Sequence, residues 1–124
     1  MTAAQPFGFV DPIREGIING VTRFVSKPGI RRSLGLPERT ADPLLGLQGI
    51  PNYSNATGEA MELIGTALSR VQWHPRAVAV FSEVITLGML SRAYYGESSL
   101  TLEQVDQFTE VFALILNSFV TDRH

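Results

Sequence analysis

The segment from Pro75 to Tyr95 leaves almost no polar face. Val78, Val80, Phe81, Val84, Ile85, Leu87, Met89, Leu90 and Ala93 cover most of a helical circumference. A helix apolar nearly all round must be buried on several sides. Pro75 fits the first helical position and Gly96 a stop signal, so the bounds of this helix are legible.

Helical spacing recurs on both sides of it. Asp11-Pro12 predicts a helix start, with Ile13, Ile17, Val21 and Phe24 in register and Ile18 and Val25 widening the stripe. Pro28-Gly29 stops or kinks this helix. Residues 30–55 are rich in proline and glycine and predict loops, with one short turn opened by Asp42-Pro43. Ala60, Met61, Leu63, Ile64, Ala67, Leu68 and Val71 predict a helix of about four turns. Thr101 and Gln104 form a capping box for a last helix carrying Leu102, Val105, Phe108, Val111, Phe112, Ile115 and Phe119. The expected class is all-α. An extended, kinked N-terminal helical arm (residues 1–43, helix about 12–27) precedes a compact bundle of three to four helices (residues 44–124).

The chain has 124 residues, 44% of them hydrophobic and 18% charged, enough for one packed core. It lacks cysteine, which removes disulfides and thiolate chemistry. The longest uninterrupted apolar run, Val111 to Leu116, is well short of the roughly 20 residues of a membrane span, so no integral membrane helix is expected. The first ten residues, with Gln5 and Pro6 and no basic stretch, do not resemble a signal peptide.

No metal-ligand spacing, Gly-x-Ser-x-Gly elbow or phosphate-binding glycine loop occurs. His74 and His124 are the two histidines. Glu59 and Glu62 read as solvated acids, since nothing suggests a pocket to separate their pKa values. Glu83, inside the most apolar helix, is expected to pair with an arginine or reach a polar seam. No enzyme, metal or cofactor is expected.

The net charge of −2 conceals an asymmetry. Residues 1–40 carry six Lys/Arg against three acids, a balance of +3, and residues 41–124 carry four against nine, a balance of −5. A polyanion-binding end is one reading of this; a solvated surface is the other. On a helical wheel Gly16, Gly20, Arg23 and Lys27 share a face, away from the Ile13/Ile17/Val21/Val25 stripe. Bare glycines would let a phosphate backbone approach, with Arg23 and Lys27 supplying charge and Arg31 and Arg32 continuing the track. Alternatively, the two glycines form a small-residue seam for close helix packing, with the cations in solvent. The apolar core presents a similar choice. Phe81, Ile85, Leu90, Phe108, Phe112, Ile115 and Phe119 are expected to meet another copy of the chain. A single folded monomer whose first helix covers the gap is the alternative.

Several stretches carry a family likeness. They are the turn Gly49-Ile50-Pro51, the lead-in Ser54-Asn55-Ala56-Thr57, the run Leu63-Ile64-Gly65-Thr66-Ala67-Leu68-Ser69-Arg70-Val71, and the Pro75-opened helix ending Ser91-Arg92-Ala93-Tyr94-Tyr95-Gly96. With the basic arm and the last apolar helix, the layout resembles the coat proteins of rod-shaped and filamentous double-stranded DNA viruses of archaea (rudivirus, lipothrixvirus and tristromavirus type). The resemblance implies a structural virion protein, assembled in the host cytoplasm. Two arms, from identical or paralogous subunits, would wrap A-form DNA, and the bundles would form a helical shell. Carried over by position, Arg14, Arg23, Lys27, Arg31, Arg32 and Arg39 would meet phosphates without reading sequence. Asp11 and Glu15 depart from that pattern. Where an envelope surrounds the shell, the subunit would touch lipid without integrating into it. The competing expectations are a small helical dimeric interaction or inhibitory module and a non-viral, nonspecific DNA-binding protein.

Overall fold

The computed structural model describes residues 10–35, 50, 53–98 and 101–121, except for the side chains of Leu102, Phe108, Val120 and Thr121. All regular structure among these residues is helical: α1 (Val10–Ser26), α2 (Pro28–Ser33), α3 (Tyr53–Leu68), α4 (Pro75–Tyr95) and α5 (Leu102–Thr121).

Helix α4 is the hub. Helices α1, α3 and α5 all pack on it, as a helix without a polar face requires. Ala77, Val78, Phe81, Ile85, Met89 and Leu90 are buried. Its start is the His74-Pro75 pair, where His74 Nδ1 accepts from the Arg76 amide at 3.1 Å. Its end is Gly96, left-handed at φ 71°. By length and composition α4 could also cross a membrane, but 44% of its most apolar window is buried inside this fold, where it serves as the core helix.

Helix α5 opens on the predicted capping box. The Gln104 amide donates to Thr101 Oγ1 at 3.1 Å, and the Thr101 amide donates to Gln104 Oε1 at 2.9 Å. Its inner face places Val105, Thr109 and Ala113 in the core, and Thr109 Oγ1 donates back to the Val105 carbonyl at 2.6 Å. The crossing from α3 to α4 is anchored by Trp73, by Asn117 and by the Arg70–Asp106 ion pair at 3.3 Å. Trp73 packs on Phe81 with ring centroids 4.7 Å apart and the rings tilted by 42°, while its Nε1 donates to the Ala67 carbonyl at 3.2 Å. The Asn117 side chain accepts from the His74 amide at 2.8 Å and donates to the Gln72 carbonyl at 3.0 Å.

Three boundaries differ from expectation. Helix α1 begins at Val10, one residue before the expected cap, and ends at Ser26. Residues 28–33, expected as a stop or kink at Pro28-Gly29 followed by loop, form α2: Pro28 sits at its start, Ile30 is buried, and Ser33 Oγ donates to the Ile30 carbonyl at 2.9 Å. Helix α3 starts at Tyr53 and stops at Leu68, so the small-residue lead-in is helical. Ala56 and Ala60 are buried there, and packing outweighs the poor propensity of Ser54, Asn55 and Gly58. The turn expected at Asp42-Pro43 lies outside the described residues.

Candidate functional site

The glycine face of α1 is closed. Gly16 and Gly20 are both buried, and both face α4. A Cβ on Gly16 would overlap the Ala79 carbonyl oxygen and Ser82 Cβ and lie 3.0 Å from the Glu83 nitrogen. One on Gly20 would lie 2.8 Å from Thr86 Cβ and 2.9 Å from the Glu83 carbonyl oxygen. The phosphate-facing role expected of these glycines is therefore corrected: they form the seam along which two helix backbones meet. Val21, Phe24 and Val25 of the same helix are also buried, and Phe24 meets Tyr94 of α4 edge-to-face.

Arg23 is partly committed as well. It forms an ion pair with Glu83, which answers the question posed by an acid inside the most apolar helix. The arginine side chain remains 70% exposed, the glutamate 20%.

Three expected cations gather at the α1–α2 elbow. Lys27 is exposed with its ammonium 5.7 Å from the Phe24 ring centroid. Arg31 donates to the Ser26 carbonyl at 2.7 Å, and Arg32 is exposed. The elbow is held on the end of α4 by the Ser33–Tyr94 hydroxyl contact and by the edge-to-face pair of Phe24 and Tyr94, centroids 5.7 Å apart. Tyr95 beside it is 63% exposed. Lysine, arginine and tyrosine hydroxyl groups are the donors that contact phosphate oxygens. Arg14 is exposed further up α1, beside Ile13, Ile17, Ile18 and Met61, and Arg39 lies outside the described residues.

The expected subunit interface divides. Phe81, Ile85 and Leu90 are 1%, 2% and 0% exposed within one chain, so no second copy can reach them. Phe81 packs on Trp73 and Phe112, while α1 covers the Ala79, Ser82, Glu83 and Thr86 side of α4. Phe112 is half-buried, edge-to-face on Phe81 at 6.0 Å, and Phe108 lies outside the described side chains. Ile115 and Phe119 are exposed, and they belong to a stripe that the sequence did not single out. Val111, Leu114, Ile115 and Phe119 are 55%, 71%, 48% and 67% exposed on one face of α5. The signal was present as i, i+3, i+4, i+8 spacing, but it was merged with the inner face of the same helix. Val80 and Val84 give α4 an exposed strip of its own.

Among the described residues no group of three His, Cys, Asp or Glu side chains is placed to hold a metal ion. In comparisons with known proteins, no family model, curated protein or solved structure matches this chain.

Proposed function

We propose that this chain is a structural coat subunit, one that packs against copies of itself or a related chain around double-stranded DNA. The observation that carries the reading is the outer stripe of α5, four large apolar side chains left in water on one helical face. Soluble monomers rarely expose apolar surface in such contiguous form. A subunit whose working state is an assembly has neighbours to cover it.

In this reading the arm is shorter than the sequence suggests. Withdrawing α1 from α4 would expose Val21, Phe24 and Val25, at about 1.5–3 kcal/mol for each side chain. Helix α1 therefore stays in the bundle. The DNA-contacting part begins at the Ser26–Pro28 break, with Lys27, Arg31 and Arg32 meeting phosphates. So few charges suffice when many subunits act along one duplex.

Negative-stain imaging of the purified protein with and without duplex DNA tests the reading. DNA-dependent regular filaments are expected. Discrete small oligomers indifferent to DNA would instead indicate the helical interaction module, which the closed glycine face also favours. For the elbow, Lys27→Glu with Arg32→Glu should abolish co-sedimentation with DNA at low salt and leave the circular dichroism spectrum unchanged. Undiminished binding by that variant would refute the elbow assignment.

A further inference from the structure

Among the described residues, two exposed apolar features besides the Val80/Val84 strip of α4 differ in shape. One is the convex outer stripe of α5. The other is an open groove of about 360 Å³ lined by Val10, Ile13, Ile17 and Ile18 of α1 and Met61 of α3, with Arg14 in its wall. Val10, Ile18 and Met61 are 45%, 43% and 58% exposed. We infer that copies of this chain join head to tail, the outer stripe of α5 from one copy seated in the α1–α3 groove of the next.

Three observations support this occupant. The stripe has the anchor spacing with which an amphipathic helix lies in an apolar groove, with Val111, Leu114, Ile115 and Phe119 as the anchors. The charges are complementary: α5 carries the exposed acids Glu103 and Glu110 and no lysine or arginine (its third acid, Asp106, pairs with Arg70 of its own chain), whereas the charged residue lining the groove is Arg14. Asp11 and Glu15 share α1 with Arg14 but do not line the groove. Glu110 is exposed beside the stripe, positioned to meet Arg14. Finally, α5 is already fixed to its own chain through Val105, Thr109 and Ala113, so its outer face is presented outward.

The consequence is topological. A contact between two different surfaces leaves one of each unsatisfied at the ends, so repetition gives a ring or an open helical polymer. This inference rests on the self-association part of the proposed function and specifies its contact.

Sedimentation velocity on the full chain, with and without duplex DNA, provides the test. Met61→Glu blocks the groove, Leu114→Glu blocks the stripe, and Ile18→Glu is a second groove variant; all three sites are exposed, and circular dichroism verifies folding. The wild type is expected to form species larger than a dimer as its concentration rises. Each variant alone should associate at least roughly thirty-fold more weakly, the loss typical of a central interface anchor. An equimolar mixture of Met61→Glu and Leu114→Glu should form dimers and nothing larger, because one intact groove meets one intact stripe and both ends are blocked. Arg14→Glu should weaken association and Glu110→Arg in the same chain should restore it; a double variant weaker than either single one overturns the seating. Unchanged association of both groove variants beside a monomeric Leu114→Glu would mean that stripe meets stripe. That result overturns the head-to-tail contact and leaves the coat-subunit reading standing. A wild type that stays monomeric at every concentration, with or without DNA, overturns both.

Discussion

Replacing Gly16 by alanine measures how tightly α1 is seated on α4. In an exposed helix the change is favourable by up to about 1 kcal/mol, because glycine loses more backbone freedom on folding. At Gly16 the added methyl meets a backbone carbonyl oxygen, a Cβ atom and a backbone nitrogen of α4. None of these is the far end of a flexible side chain, so α1 itself must retreat. Overpacking of this kind costs about 1–3 kcal/mol. The retreat also loosens Val21, Phe24 and Val25, since a gap of about 0.5–1 Å forfeits a quarter to a half of each dispersion contact. The expected net effect is a loss of about 1–2 kcal/mol. Gly58, exposed in α3 with nothing within 4 Å of its Cβ position, supplies the control. Gly58→Ala should gain about 0.5–1 kcal/mol. For a chain of this size the two variants should melt roughly 6–15 °C apart, with Gly16→Ala the lower. Thermal and urea unfolding followed by circular dichroism read the difference. If Gly16→Ala melts as high as Gly58→Ala, the glycine seam is not closed, and α1 returns to being a detached arm with an open glycine face.

Two further outcomes follow from single contacts. Asn117→Ala removes its bonds to Gln72 and His74 at the α3–α4 crossing and should cost about 1–2 kcal/mol in urea unfolding; an unchanged midpoint would show that Trp73 and the Arg70–Asp106 pair hold the crossing without it. Gly96→Ala forces a left-handed residue at the end of α4 and should cost about 1 kcal/mol, whereas Gly96→Asn should recover part of it.

Much of the helical layout was legible because its signals are local. A proline at the first position of α4, a glycine after its last residue and the Thr101/Gln104 box ahead of α5 each act within one turn of chain. They work in a peptide as they do in the fold. The start of α3 was not legible, since Ser54, Asn55 and Gly58 are poor helix formers and burial of Ala56 and Ala60 overrides them. For α2 the buried Ile30 and the Tyr94 contact supply what six residues could not supply alone.

The candidate site divides along the same line. By itself the sequence determined that the chain is helical, that α4 needs neighbours on several sides, and that the cations concentrate in the first third. Only the tertiary structure decided which neighbour each face received. A wheel assigns Gly16, Gly20 and Arg23 to one face, yet a glycine pair suits a phosphate backbone and a second helix equally, because both need only the absence of a side chain. Packing against Ala79, Ser82 and Glu83 resolved that choice in favour of a helix. Phe81, Ile85 and Leu90 likewise became core within one chain, Phe81 against Trp73 and Phe112, and the free apolar surface moved outward to the far side of α5. Periodicity records angles within one helix; burial depends on pairs of helices, whose meeting is written in no single segment.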